Sequence, residues 1–387
     1  MNTKLKAMIL MLAVVVSTAA LSGYIAFSDD QAALESSMRR ELTLVGKLLQ
    51  NSIDAQIGKG SARAALISSL PSVQQAFRAR DRDQLIHQLL GPMIIQREQF
   101  GVREAQFHLP PASSYLRLFK LDEPPGEDLN SIRSMVVATN QQQIPHEGIS
   151  IGRRGISLRG VYPVADSQGH IGSFEIGMDF IDVIRNVKDT TGFEAAVLVD
   201  SRLMRDTATQ VPAPEDYKLL GDYQMVVATN WAFIKPLLSH EKLQTVRKPW
   251  QDTKVVGGET FGGAAIPLRD TTGNLIGYAV AARSFEHHVK QRNWAIVRSA
   301  AMAGLQVLLL AGVVLLILNG MLLRPLGALT RMIDDTPEEV PGERSDLLQR
   351  RDEIGKLAQH LVLATQEKQE KPLLLGTSAP GEEQANA

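Results

Sequence analysis

The sequence predicts an α+β protein in which two tandem sheet-bearing units follow a long amphipathic helix, flanked by two membrane helices and trailed by a short helical segment. Three observations carry this. Two uncharged apolar runs lie near opposite ends of the chain, Ala7 to Ser28 and Ser299 to Leu323. After the first, Leu34, Met38, Leu42, Val45, Leu49 and Ile53 recur at three- and four-residue steps, the spacing of a helix with one apolar face. Between the runs, one strand–turn–strand pattern occurs twice.

Each run is long enough to cross a hydrocarbon core of about 30 Å as a helix. The first, continuing from Met8–Val16 through Leu21, Tyr24, Ile25 and Phe27, is assigned to residues 7–28. Lys4, Lys6 and the small residues Ser17–Ala20 also fit a cleavable signal peptide, but the apolar stretch continues past that site. The second run, nearly all Leu, Val, Ile and Ala from Leu305 to Leu318, is assigned to residues 294–323. Lys4 and Lys6 before the first run, with Asp29 and Asp30 after it, place residues 1–6 in the cytoplasm and the segment between the runs outside. Lys290, Arg292 and Arg298 before the second run weigh against this orientation. Single-helix anchors suit a bacterial inner membrane and a periplasmic domain.

Composition narrows the function classes. The 387 residues are 44% hydrophobic and 21% charged, ordinary for roughly two globular domains. With 41 basic against 42 acidic residues, the chain has no broad basic surface for a phosphate backbone, so nucleic acid is not an expected partner. The absence of cysteine excludes disulfides, Cys-ligated zinc, iron–sulfur clusters and a thiol nucleophile.

The external segment divides into a membrane-distal unit, 29–185, and a membrane-proximal unit, 186–293. Its first helix either packs on its own domain or pairs with a second copy in a homodimer; the two are compatible. A second helix is expected over Val73–Gln96. Strands are expected through Val102, Ala105, Phe107 and Leu109, through Tyr115–Phe119, and through Val161–Val164. The polar stretch Asp122–Asp128 reads as a turn leading into a helix over Leu129–Asn140. In the repeat, Pro163, Asp166 and Gly169 match Pro267, Asp270 and Gly273 at equal spacing, and Ile171-Gly172 matches Ile276-Gly277 after a one-residue slip. Each copy reads as a hairpin whose turn uses Asp and Gly, and two unrelated turns are the alternative. An apolar strand, Gly192–Asp200, precedes the second copy as Gln106–Phe119 precedes the first.

With its membrane helix, long stalk helix, two PAS-like sheet units and second membrane helix, the chain resembles the double Cache sensor domains of bacterial chemoreceptors and sensor kinases. Phe107–Pro111, Ser114–Arg117, Asp128-Leu129, Arg133 and Arg159–Val164 carry the resemblance to the distal unit of one Cache subgroup. The sequence departs from the Tyr, Arg, Trp, Tyr pattern by which amino-acid-sensing Cache domains grip an α-amino acid.

Within the distal unit, Arg117, Arg133 and Arg159 stand near His108 and Tyr115 and are candidates for binding a small anionic organic ligand, because guanidinium forks hold carboxylates or phosphates in two-point contacts. They serve equally as salt-bridge partners for Asp128, Glu175 or Asp179. Glu175 and Asp179, four apart on the returning strand, are expected on one face, as pocket wall, solvated surface or paired carboxylates. The proximal unit, with Tyr278 and Trp231 but fewer paired charges, is expected to be mainly structural. His240, His287 and His288 lack a ligand spacing, so no metal or other cofactor is expected. No nucleophile, zinc or P-loop motif supports an enzyme.

Past the second run, Pro325 opens a short helix with a Leu326, Leu329, Ile333 seam. A second begins at Asp352-Glu353-Ile354-Gly355 with Ile354, Leu357, Leu361 and Ala364 as its seam. Two such helices need a four-helix bundle in a dimer to bury their stripes. Pro325 and Asp352–Gly355 resemble a HAMP signal relay, assigned to 324–371, and 372–387 reads as a disordered tail. The resemblance implies a transmembrane receptor relaying a conformational signal to a cytoplasmic effector, a kinase or chemotaxis complex, in trans. A membrane-anchored scaffold binding another protein is the alternative. A polar-lined pocket of roughly 300 Å³ in the distal unit would favour a small-molecule sensor over it.

Overall fold

The computed structural model describes residues 3–333 and 347–370. The chain divides into a compact unit, Gln31–Arg292, and the residues on either side of it. Helix α1 (Thr3–Ser69) runs from the first apolar run into the compact unit. Its buried positions there, Met38, Leu42, Val45, Leu49, Ile53, Gln56, Gly60, Ala64 and Ile67, keep the three- and four-residue step, and the apolar ones enter one core with the inner faces of both sheets. The helix therefore packs on its own domain.

The expected second helix is two. α2 (Pro71–Arg78) and α3 (Arg82–Phe100) are separated where Arg80 takes a left-handed φ of 58° and Asp81 caps α3 by accepting the Gln84 N–H at 2.9 Å. The distal sheet has five strands in the order β2-β1-β5-β4-β3: β1 (Val102–Leu109), β2 (Ser113–Arg117), β3 (His146–Gly152), β4 (Gly155–Asp166) and β5 (Gly169–Met178). α4 (Ser134–Gln142) begins later than expected, because Leu129–Arg133 first forms a turn in which the Ile132 and Arg133 N–H groups donate to the Leu129 carbonyl. α5 (Ile181–Thr191) leads to the proximal sheet.

That sheet is ordered β7-β8-β6-β11-β10-β9: β6 (Glu194–Asp200), β7 (Leu219–Leu220), β8 (Tyr223–Ala228), β9 (Trp250–Val256), β10 (Glu259–Arg269) and β11 (Leu275–Ser284). Short helices α6 (Ser201–Thr207), α7 (Trp231–Ile234) and α8 (His240–Thr245) occupy its connections.

The repeated pattern is a structural repeat. β4–β5 and β10–β11 are antiparallel hairpins, and β5 and β11 each lie between their hairpin partner and the strand that opens the unit, β1 or β6. Asp166 and Asp270 both accept the N–H two residues on, at 2.8 and 2.9 Å, and Gly169 and Gly273 both have positive φ. Gly172 and Gly277 each lie so close to a carbonyl of the adjacent opening strand, His108 or Leu198, that a Cβ would overlap it.

Among the described residues, one helix is long and apolar enough to cross a membrane. It runs over Glu286–Thr330 and comprises α9 (Glu286–Ile317), a π-helical turn at Leu318–Leu323 and the start of α10 (Arg324–Ile333). The first apolar run falls on the start of α1, where the side chains of Ala7, Met8, Ile9, Met11 and Leu12 lie outside the described residues; Leu10, Val14, Leu21, Tyr24 and Phe27 are exposed. α10 and α11 (Glu353–Glu370) meet through Ala328, Leu329, Leu347 and Ala358, with Ile354 alongside. Asp352 caps α11 by accepting the Gly355 N–H at 3.0 Å. Leu357 and Ala364, expected in the seam, are exposed, because the stripe facing α10 passes through Ile354 and Ala358 instead. The connector 334–346 and the tail 371–387 lie outside the described residues.

One close approach of sheet to stalk fixes a residue type. A Cβ on Gly160 of β4 would stand 2.6 Å from the Ser61 backbone nitrogen of α1, where no flexible side chain can yield. Gly160→Ala is expected to destabilise the protein by about 1–3 kcal/mol in thermal or denaturant unfolding, the usual cost of overpacking. Gly58→Ala on the same helix, where a Cβ meets nothing within 4 Å, is expected to be neutral or stabilising.

Candidate functional site

The two faces of the distal sheet differ in chemistry. Ala105, Phe107, Leu158, Phe174 and Ile176 face the main core with α1. Alternation then puts Glu104, Gln106 and His108 of β1, Ser157 and Arg159 of β4, and Ser173 and Glu175 of β5 on the opposite face, paired across the strands as Gln106↔Glu175, His108↔Ser173 and Arg159↔Gly177. The segment before and through α4 covers this face, packed by a separate small cluster of Ala112, Leu129, Met135, Val136 and Val161. Arg133 descends from that cover and is 7% exposed.

Beneath the cover lies a buried ion network. Arg159, 0% exposed, donates from Nη1 to Glu104 Oε2 at 2.7 Å and to Glu175 Oε1 at 2.6 Å, and from Nη2 to Glu104 Oε1 at 3.1 Å. Arg133 Nη2 donates to Glu104 Oε2 at 3.2 Å, and its Nη1 stands 3.6 Å from Glu175 Oε1. His108 Nε2 lies 3.0 Å from Glu175 Oε2. A carboxylate accepts only, so Nε2 carries the proton and Nδ1 of a neutral ring is a bare acceptor. Two glycines clear the space. A Cβ on Gly177 would press on Glu104 Cβ at 3.2 Å, and one on Gly152 would stand 2.9 Å from the Arg133 Cζ.

The charges are unequally compensated. Burial opposes ionisation of Glu104, but the Arg159 and Arg133 guanidiniums outweigh it and hold the carboxyl down at about 2. Glu175 is likewise held well below the carboxylate range, burial being overcome by Arg133, Arg159 and His108. Burial pulls Arg159 down, yet Glu104 and Glu175 more than restore it, so its pKa is raised. Arg133 goes the other way: burial and repulsion from Arg159 leave its pKa lowered despite both carboxylates. Burial also lowers His108, against the pull of Glu175.

The spare capacity is mostly donors. Arg133 Nε and Nη1, Arg159 Nε and the Ser157 and Ser173 hydroxyls are buried without a hydrogen-bond partner, as is His108 Nδ1. The adjoining cleft is lined by Arg117, Lys120, Arg133, Arg153 and Arg154 against Glu104 and Glu123. It offers about 30 Å³, room for a water or two, so the closed, polar-lined pocket of roughly 300 Å³ that would favour a small-molecule sensor is not found here. The cover therefore closes the network to anything larger than a water or two.

Of the residues singled out from sequence, the fold brings His108, Arg133, Arg159 and Glu175 together. Arg117 lines the outer cleft, where it is paired with Glu123 at 2.6 Å and with Glu127. Tyr115 faces the opposite side of the sheet, its ring 5.3 Å from Phe77 in the main core. Asp179 does not share a strand face with Glu175: β5 ends at Met178, and Asp179 instead accepts the Ile181 N–H at 3.0 Å at the start of α5. Asp128 pairs with none of the three arginines; its carboxylate accepts the Asn130 N–H. Glu104, central to the network, escaped the sequence reading. The signal was the alternation Glu104, Gln106, His108 on the strand whose apolar alternates were counted. In the proximal unit, Tyr278 is buried with its hydroxyl donating to the Val246 carbonyl at 3.2 Å, and Trp231 donates to the Tyr217 carbonyl at 2.7 Å.

The network makes stability depend on pH with one sign. Glu104 is depressed in the folded state, so its contribution is present above about 4.5 and lost as pH falls toward about 2. His108, also depressed, contributes above 6.5 and loses that contribution as pH falls through its lowered value. The melting temperature of the full chain in detergent is expected to fall on acidification from pH 7 to pH 3. Glu104→Gln is expected to cost about 3–5 kcal/mol at pH 7, because Arg133 and Arg159 lose a counter-charge, and to flatten the acid slope; an unchanged slope would contradict the assignment.

Among solved structures, the ligand-binding domain of the Campylobacter jejuni chemoreceptor Tlp3 in complex with L-valine aligns over 66% of this chain and 96% of its own, at 12% identity and a TM-score of 0.40. The sensor domain of the V. cholerae histidine kinase DctB aligns over 65% and 97%, at 12% identity and a TM-score of 0.37. No curated protein matches the chain. The family model for the double sensory domain of two-component sensor kinases matches residues 35–286, and the chain belongs to this dCache_3 family.

Proposed function

We propose that the chain is a two-pass receptor of a bacterial inner membrane whose distal, periplasmic unit binds a small organic anion at the Arg133–Arg159 network. The observation that carries this reading is the surplus of buried N–H and O–H donors on Arg133, Arg159, Ser157 and Ser173, beside a cleft with more cationic than acidic groups. Arg133 is the member best suited to meet a ligand, since it belongs to the cover and is the under-compensated cation. The receptor has no catalytic role; it transmits a change of packing.

The path of that change starts behind the site. On the edge strand, Gly148 pairs with Arg159, and the neighbouring Ile149 forms a parallel bridge with Asp270 in the turn of the proximal hairpin. A shift of β4 thus bears on the proximal unit, and through α1 and α9 on the membrane. Pro325 at the start of α10 and the Asp352 cap of α11, next to Glu353, Ile354 and Gly355, support a HAMP-like relay. Gly355 lies so close to the Arg350 carbonyl that a side chain there would overlap it. Exposed Leu357 and Leu363 supply the apolar surface that a homodimeric bundle would bury, and the output passes to a kinase or chemotaxis complex.

Thermal shift and titration calorimetry on the full chain in lipid nanodiscs, with mono-, di- and tricarboxylates, amino acids, amines and purines, test the reading. A saturable rise in melting temperature with one carboxylate class is expected. Arg133→Ala is expected to weaken that binding at least tenfold, the scale of one charge-assisted hydrogen-bond pair, and Arg117→Ala by less than about threefold, since Arg117 is held by Glu123 and Glu127. No shift with any anion from a folded protein would overturn it in favour of a protein-binding scaffold.

A further inference from the structure

The face of the proximal sheet that corresponds to the distal ion network is built quite differently. A cavity of about 290 Å³ lies there, between β9–β11 and the segment containing α8. Its floor is made of small residues: Gly263 of β10 pairs with Ala282 of β11, and Ala265 lies two positions along the same face. Gly263 is not required by the backbone. Its φ is not positive, and a Cβ would meet only the Ala281 carbonyl at 3.6 Å, ordinary contact. What glycine provides here is depth.

The walls are apolar, with Leu238, Leu243 and Val246 on one side and Phe261 and Trp250 on the other. The charged groups of the lining come from β9 and α8, with Ser239 at the start of α8 the other polar side chain. Trp250, Asp252 and Lys254 alternate onto the cavity face of β9, and Lys242 of α8 reaches over, bonded to Asp252 and 4.3 Å from the Trp250 ring centroid. Together these carry two ammonium groups to one carboxylate. The free volume is about twice that of a cavity lined by Leu, Ile and Phe that accepts benzene, roughly 150 Å³. An apolar body with a single anionic end fits both features.

We infer that the proximal unit binds an aryl-alkanoic or medium-chain carboxylic acid in this cavity, its apolar body on the Gly263–Ala265–Ala282 floor and its carboxylate at Lys242 and Lys254. The site is chemically distinct from the distal one, which has no apolar cavity, so one receptor chain carries two ligand sites of different class. It also assigns a binding role to a unit that its sequence marks as structural.

The test is calorimetric titration of the full chain in lipid nanodiscs with 4-phenylbutyrate, octanoate and their neutral amides. One saturable site for the acids is expected, with the amides binding more weakly. Lys242→Gln is expected to weaken the acids roughly tenfold and bring them level with the amides. Gly263→Leu, which fills the floor, is expected to abolish binding of both; Leu238→Trp, filling from the opposite wall, serves in its place should Gly263→Leu fail to fold. Absence of binding by the wild-type chain at millimolar acid would overturn the inference. So would binding that survives the cavity-filling variants, or binding lost in Arg133→Ala and retained in Gly263→Leu, which would locate it in the distal unit.

Discussion

The distal unit is organised around one buried cation. Taking the Arg159 guanidinium fully out of water costs several kcal/mol, and only good geometry with opposite charges offsets it. The fold supplies that geometry from three adjacent strands: Glu104 on β1, Arg159 on β4 and Glu175 on β5, with Gly148 and Gly177 flanking Arg159 across both strand pairs. This also fixes register. A one-residue slip of β4 would exchange Arg159 with Leu158, driving a charge into the apolar core and an apolar side chain into the ion network. Strand register and Gly177 follow from keeping Arg159 paired, whereas Gly152 clears space for Arg133, a second cation that repels Arg159.

The two sheet units share a plan and diverge in chemistry. Both open on a strand that sits beside the return strand of an Asp–Gly hairpin, and both pack their inner face on α1. On the outer face the distal unit buries ions and leaves almost no free volume, whereas the proximal unit lines its outer face with Gly and Ala and leaves a cavity. The same backbone scaffold thus presents a charged site and an apolar one, and the bridge between Ile149 and Asp270 joins the edge of the first sheet to the turn of the second. β3 and the turn of the second hairpin are therefore neighbours at that bridge, beside a cleft lined by Ile53, Asp54, Gly148, Pro267 and Asp270.

What could be read from sequence follows from how local each signal is. The stalk helix was legible because its apolar residues repeat without interruption from Leu34 to Ile53, and the hairpins because their turn residues recur at fixed spacing. The break between α2 and α3 was not, since it depends on a left-handed Arg80, a residue type with no preference for that conformation. The strands β3, β7, β8 and β9 lack strong alternation: β3 has Gly148 and Gly152 within it, and β9 carries Asp252, Thr253 and Lys254 in succession. At the site, the cationic residues were visible as types. Their partners were not, because pairing depends on which strands become neighbours. Tyr115 fell on the wrong face because a register shift between Phe107 and His108 in the β1–β2 pair upsets simple alternation. Asp179 was misjudged because its strand ends one residue earlier.

In the proposed reading Arg159 holds the network together, and Arg133, less well compensated, engages the ligand. Double-mutant cycles on unfolding free energy separate these roles, pairing Glu104→Gln with Arg159→Met and, independently, with Arg133→Met. A coupling of about 2 kcal/mol or more is expected for Arg159 with Glu104, and below about 1 kcal/mol for Arg133 with Glu104. Equal couplings would contradict it, making both arginines structural pillars of a sealed core.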